Sequence, residues 1–113
     1  MLSKTAPNLF RASLAAIVMA LLFSTYSLAS GAADTYKKRC SACHGANGAG
    51  DTMIGKNLKL RDLRSADVQK QTDAELVTLI TNGKKVMPVF GKTLSASQIR
   101  DVAAYVRSIA KKD

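Results

Sequence analysis

The sequence predicts a small all-α domain, because two strong helix-start signals and helical apolar spacing occur in it while strand-like alternation does not. Thr72 stands three residues before Glu75, and Ser95 stands three residues before Gln98. Each pair is a capping box, in which the two side chains satisfy backbone N–H groups that a helix start leaves free. The apolar residues after each box recur every three or four positions, which favours a helix buried along one face.

Three helices and one weaker helical turn can be placed along the chain. We expect helices over about 32–39, 72–82 and 95–110, and a weaker turn over 65–70. Gly83 ends the second helix, since glycine readily adopts the backbone conformation of a helix C-terminus. The expected architecture is three to four helices wrapped by long loops.

Two glycine-bearing segments, 44–60 and 84–94, separate these helices and are expected to be loops. The second contains Met87 followed by Pro88. The chain shows neither an internal repeat nor a linker, so one domain is predicted. Loops of this length in a compact domain are usually functional.

The first 29 residues have the pattern of a secretory signal peptide. Lys4 and Arg11 give a positive start, an apolar run occupies 12–23, and small residues precede Ala29. We expect cleavage after Ala29, with Ala33 as the second choice, which leaves a domain at 30–113. An uncleaved membrane anchor is the alternative, although polar residues at 24–27 end the run before the roughly 20 residues that a spanning helix needs.

The predicted mature chain is short and basic. It retains 15 of the 17 lysines and arginines and all 8 acidic residues, a formal charge of +7. A chain of this size buries a limited core and often needs a bound group to complete it. A nucleic-acid partner is not predicted, because an exported chain rarely meets nucleic acid.

The segment Cys40-Ser41-Ala42-Cys43-His44 has the form of a c-type haem attachment motif and contains the only histidine. Residues three apart near a helix end lie on one side of the backbone. Cys40 and Cys43 can therefore form thioethers to the two vinyl groups of one porphyrin, and His44 can reach the iron.

Two other interpretations of the cysteines remain open. A catalytic dithiol would be expected near a βαβ pattern, which the sequence lacks. A tetrahedral zinc site normally takes four ligands, whereas two cysteines and one histidine are present.

The chain resembles the small class I cytochromes c of bacteria and of algal photosynthesis. The likeness extends over nearly all of the predicted mature chain and rests on the segments 40–45, 82–90 and 102–107. It implies one covalent haem c and a methionine before a proline, here Met87 and Pro88, as the sixth iron ligand. It also implies that the first and last helices cross, with Tyr36 and Tyr105 as packing aromatics.

Three positions deserve comparison with that family. Met53 is the other methionine of the mature chain, but it follows His44 by only nine residues, a short reach to the opposite face of a haem. Ala32 occupies a position where the family usually has glycine, with Gly31 beside it. Lys56 replaces a proline whose carbonyl accepts the second N–H of the iron-bound histidine, and the lysine carbonyl could accept the same bond.

Histidine on one side of the iron and methionine on the other leave no open position, which predicts an electron carrier and not an enzyme. If Met87 did not bind, a peroxidase or gas-binding protein would be the alternative. We expect a soluble periplasmic one-electron shuttle that meets redox partner proteins. A haem-bearing subunit of a larger respiratory or dehydrogenase complex, or peripheral association with a membrane complex, is the other possibility.

Six basic residues are expected near the exposed haem edge by the family's fold: Lys37, Lys38, Arg39, Lys84, Lys85 and Lys92. Such a basic ring could steer an acidic partner. Equally, lysines of this kind could serve only solubility.

Overall fold

The computed structural model describes the backbone of residues 6–112 and the side chains of residues 11–23 and 31–112. The helices in this part are α1 (Ala6–Arg39), α2 (Ser41–His44), α3 (Met53–Asn57), α4 (Ala66–Gln69), α5 (Asp73–Asn82) and α6 (Ala96–Ser108), with a 3₁₀ turn at Phe90–Lys92. Over residues 6–112 the only β pairing is an isolated bridge between Lys84 and Met87. The predicted all-α class is therefore confirmed.

Both capping boxes form as predicted. Glu75 N–H donates to the Thr72 hydroxyl at 3.2 Å, and Thr72 N–H donates to the Glu75 carboxylate at 2.7 Å. Ser95 and Gln98 make the same reciprocal pair at the start of α6. The predicted weak turn is α4, and α6 ends two residues earlier than expected.

Helix α1 begins at Ala6, far before the expected start near 32. The added part contains an alanine- and leucine-rich run of good helix formers, so the chain continues as helix ahead of the domain. Its described large apolar side chains, from Leu14 to Phe23, are 51–69% exposed. Among the described residues, no helix is both long and apolar enough to cross a membrane. The predicted cleavage after Ala29 concerns side chains that lie outside the described residues.

Helices α1 and α6 pack against each other, as the family resemblance implies. The rings of Tyr36 and Tyr105 lie with centroids 4.8 Å apart and planes tilted by 39°. Ala32 is buried with 9% of its surface exposed, whereas an added Cβ on Gly31 would meet nothing within 4 Å. Of these two neighbouring positions, the buried one is thus occupied by alanine, which adds a single methyl group.

One apolar core joins α4, α5 and α6. Its buried members are Val68, Leu76, Ile80, Leu94, Ile99, Val102, Ala103 and Val106. The predicted apolar faces of both long domain helices supply most of this set. Helix α3 and the 3₁₀ turn lie within segments predicted as loops, since a single helical turn has too few residues to show apolar periodicity.

Candidate haem site

A cavity of about 480 Å³ opens in the middle of this core. Five core residues form part of its wall: Val68, Leu76, Ile80, Val102 and Val106. The volume is in the range of small-molecule and cofactor sites, which are mostly apolar with a few placed polar groups. The domain core is therefore arranged around a cavity of the size of a cofactor site.

The Cys-Ser-Ala-Cys-His segment forms one helical turn on the wall of this cavity. The backbone N–H groups of Cys43 and His44 both donate to the Cys40 carbonyl, at 3.2 and 2.9 Å. Cys40, Cys43 and His44 all line the cavity, and the two cysteines, which are of intermediate burial, are not joined in a disulfide. The predicted motif residues are thus brought together on one wall.

Burial, with a smaller contribution from Cys43, raises the pKa of the Cys40 thiol to about 11. A redox-active dithiol needs the opposite shift, because the thiolate is the nucleophile. Although Cys40, Cys43 and His44 share one wall, no three His, Cys, Asp or Glu residues in the described part of the chain are placed so that they could hold one metal ion between them. Neither the dithiol nor the zinc interpretation gains support.

His44 is held in place through its backbone and its neighbours. Gly50 N–H donates to the His44 carbonyl at 2.7 Å, and Tyr36 donates its hydroxyl proton to the Gly45 carbonyl at 2.8 Å. Burial lowers the pKa of His44, so the ring is neutral at pH 7 and keeps a lone pair for a metal. These bonds hold the backbone from which the imidazole extends.

Helix α3 supports the motif from the next loop. The Thr52 hydroxyl donates to the Cys43 carbonyl at 2.8 Å and accepts from Gly55 N–H at 2.9 Å. A Cβ on Gly55 would lie 2.6 Å from that same Cys43 carbonyl, so this approach requires glycine.

The bond that the Lys56 carbonyl could accept from His44 is not formed. Nδ1 of His44 is buried without a hydrogen-bond partner, and the Lys56 carbonyl accepts from Lys59 N–H at 3.2 Å. Lysine permits the helical turn of α3, and that turn uses the carbonyl. A proline at this position would lack the N–H that bonds Thr52 and would disfavour the turn.

Met87 reaches the same cavity from the loop after α5. Its N–H donates to the Lys84 carbonyl at 2.9 Å, and its carbonyl accepts from Lys84 N–H at 3.3 Å. Gly83 has φ +68°, and a Cβ there would lie 2.5 Å from the Met87 carbonyl, so a side chain would prevent this tight turn. Met53, by contrast, is 81% exposed and does not line the cavity.

The charged lining of the cavity is entirely basic. It consists of Arg39, Lys59, Arg61, Lys84 and Lys85, and no Asp or Glu contributes. Among the described residues, none of these five is in an ion pair. All five are exposed, and a cavity lined by charges of one sign attracts a ligand or surface of the opposite charge.

Three of the six basic residues predicted near the exposed haem edge line the cavity. Arg39, Lys84 and Lys85 line the cavity, whereas Lys37, Lys38 and Lys92 do not.

Lys59 and Arg61 were missed by sequence reasoning. A usable signal was their position at the end of, or directly after, the glycine-bearing segment 44–60. Lys59 and Lys85 are also the only non-glycine residues with positive φ in the described part, at 53° and 54°.

The residues present fit a haem. Apolar walls surround the space, two thiols and a neutral imidazole share one wall, and cations suited to carboxylates line it. In the part of the chain that the structure describes, two buried side-chain polar atoms lack a partner, His44 Nδ1 and Gln71 Oε1. Both belong to residues that line this cavity. Gln71 had no sequence signal, because an isolated glutamine between two helices is ordinarily a surface residue.

Comparison with known proteins agrees with the site. Residues 27–106 match the family profile described as cytochrome C oxidase, cbb3-type, subunit III. Cytochrome c6 of Rippkaea orientalis is 35% identical over 105 residues, covering 86% of this chain and 87% of the relative. The chain belongs to the class I c-type cytochromes. Cytochrome c6 of Leptolyngbya boryana is 40% identical over 77 residues, covering 68% of this chain and 87% of the relative.

A solved c-type cytochrome structure, KustC0563, superposes with a TM-score of 0.65 at 27% identity, covering 70% of this chain and 96% of that one. As a class I cytochrome c, the chain carries one covalently bound haem c. It is an electron carrier and not an enzyme, and it exchanges electrons with redox partner proteins.

Proposed function

We propose that the chain is an exported one-electron carrier whose haem is held by thioethers to Cys40 and Cys43 and ligated by His44 and Met87. The observation that carries this proposal is that one cavity receives all four of these side chains while Met53 remains outside it. The two cysteines and His44 approach from α1 and α2, and Met87 approaches from the loop after α5.

The bound haem supplies a reversible ferrous–ferric couple. The thioether of Met87 favours ferrous iron and raises the reduction potential. With His44 and Met87 both in place, no coordination position is open to oxygen or peroxide. Acid–base catalysis would need a positioned proton donor, and the only histidine is already assigned to the iron.

Export is the second part of the proposal. Residues 1–29 are a signal peptide and the mature chain acts in the periplasm. The exposed apolar run of α1 supports this, because it adds nothing to the domain core. N-terminal sequencing of the periplasmic protein should give a start at Ser30. A start at Met1, with the protein only in the membrane fraction, would support an uncleaved anchor.

The partner is an acidic redox protein. The five unpaired cations that line the cavity favour an approaching surface of opposite charge. Exposed Val86 and Leu58 line the same cavity, which provides apolar contact beside those cations.

A role as the haem subunit of a larger complex is the second candidate, favoured by the description of the matching family profile as an oxidase subunit. Gel filtration of a native extract separates the two. A shuttle elutes near the mass of the mature chain, whereas a subunit elutes with its complex.

Haem staining after denaturing electrophoresis, together with a redox-titrated visible spectrum, tests the core of the proposal. Covalent haem keeps its colour on the gel, and acid–acetone extraction leaves it on the protein. Extraction of the colour would contradict attachment through the cysteines. Replacement of Cys40 or Cys43 by alanine should weaken or abolish the stain.

A further inference from the structure

The side chain of Gln71 is a polar group in the cavity wall that the electron-carrier proposal does not use. Its Oε1 atom is buried without a hydrogen-bond partner. The residue lines the same cavity as Cys40, Cys43 and His44. Buried polar atoms are rarely left unpaired in native proteins, so each such case calls for a partner that occupies the neighbouring space.

Hydrogen bonds hold the backbone of Gln71, and this fixes the point from which its side chain extends. Arg107 donates to the Gln71 carbonyl through Nη2 and to the Gln69 carbonyl at 2.6 Å through Nη1. The same guanidinium donates to Asp73 at 2.8 Å through Nε. Gln71 N–H donates to the Val68 carbonyl at 3.1 Å.

Gln69, two residues earlier, differs from Gln71 because its side-chain amide has hydrogen-bond partners within the protein. Its Nε2 donates to the carbonyls of Leu63 and Val106, both at 2.9 Å. Gln69 ties the segment to the core and does not line the cavity. Gln71 has the same carboxamide, but no group in the described part of the chain is a hydrogen-bond partner for its buried oxygen.

We propose that Gln71 binds one propionate carboxylate of the haem inside the cavity. A side-chain amide exchanges its oxygen and nitrogen by rotation about its last bond, and its partner decides the orientation. With a carboxylate in the cavity, Nε2 faces it and donates a hydrogen bond. The basic lining compensates the carboxylate charge, since all five charged residues of the wall are cations.

This inference extends beyond the proposed function, because it requires haem in the cavity but neither Met87 ligation nor export. The test uses the mature holoprotein with Gln71→Met, which keeps the side-chain length and removes the hydrogen bond. Gln69→Met is the matched control. The readouts are the propionate bending band in the resonance Raman spectrum and the thermal midpoint.

We expect Gln71→Met to shift the propionate band and lower the thermal midpoint. Gln69→Met should lower the midpoint through its two lost bonds and leave the band in place. An unchanged band in Gln71→Met would overturn the proposal. A raised midpoint would also overturn it, because replacement of an unpaired buried amide by an apolar group is neutral or stabilising.

A measurement on the unmutated protein tests the proposal even if Gln71→Met does not fold with attached haem. In the reduced holoprotein, kept diamagnetic by Met87 or, if the sixth position is open, by added carbon monoxide, the Gln71 Nε2 protons should show nuclear Overhauser contacts to the propionate methylene protons. Absence of these contacts, with the Gln71 amide signals assigned, would overturn the proposal. Haem staining reports separately on attachment, so loss of haem is distinguished from loss of this bond.

Discussion

Tyr36 donates its hydroxyl proton to the carbonyl oxygen of Gly45 across 2.8 Å, which ties α1 to the residue after the proposed iron ligand His44. Tyr36 is 2% exposed, and burial raises the pKa of its hydroxyl, so this proton stays in place at any physiological pH. The side chain of Tyr36 therefore contacts Tyr105 on α6 with its ring and bonds the haem motif segment with its hydroxyl.

Tyr36→Phe should destabilise the holoprotein by about 1–3 kcal/mol, because the Gly45 carbonyl, in a buried residue, loses its donor. Denaturant unfolding followed by circular dichroism measures the change. Tyr105→Phe is the control, since it keeps the ring pair and leaves the Tyr36–Gly45 bond intact. Equal stability of Tyr36→Phe and the parent protein would show that the bond contributes nothing.

Met87→Ala should open the sixth position of the iron. We expect loss of the weak sulfur-to-iron band in the far red of the ferric spectrum, binding of carbon monoxide by the ferrous form, and a lower reduction potential. Visible spectroscopy and a redox titration record all three. Met53→Ala should change none of them, because Met53 lies outside the cavity. Ready carbon monoxide binding by the parent protein would contradict Met87 ligation.

The double change Lys84→Glu and Lys85→Glu should slow association with an acidic redox partner by about tenfold or more at low salt. Exposed charges are screened within about 10 Å at 0.1 M salt, so the difference from the parent should shrink as salt rises. Stopped-flow electron transfer measures the rates. Lys37→Glu with Lys92→Glu alters the net charge equally but away from the cavity lining, and should have a smaller effect. Equal slowing by both pairs would indicate net charge alone.

Asp62 should stabilise the fold at neutral pH and lose this effect in acid. The Arg64 guanidinium beside Asp62, aided by Lys111, holds the pKa of that carboxyl well below its usual range. A lowered folded-state pKa adds stability above the unfolded value of about 3.9, and this is lost as pH falls toward the folded value. Asp62→Asn should therefore be less stable than the parent protein at pH 7, by about 1 kcal/mol or less for such a partly exposed pair. This difference in the free energy of unfolding should disappear in acid.

Unfolding of both proteins in denaturant across pH 2–7 gives the comparison. Asp67→Asn is the control, because Asp67 pairs with Lys70 through side chains that are more than 70% exposed. A gap between Asp62→Asn and the parent that does not vary with pH would show that the lost interaction is not ionic.

The helical framework and the attachment motif followed from local signals. Each capping box is closed by residues three apart, so Thr72 and Ser95 could be assigned as helix starts without knowledge of the rest of the chain. The spacing of Cys40, Cys43 and His44 is equally local. The assignment of Met87 as an iron ligand does not follow from local signals alone, because it depends on the family resemblance as well as on Pro88.

The tertiary structure decided what surrounds the motif. Lys59, Arg61 and Gln71 approach the cavity from segments remote from Cys40 in the chain, and no local pattern distinguishes them from surface residues. The Lys56 carbonyl could accept a bond from His44 as judged from the sequence, but the helical turn of α3 uses it instead. Capping and motif spacing depend on neighbours within a few residues, and sequence determines them directly. Cavity walls and hydrogen-bond partners depend on chain segments brought together only by folding.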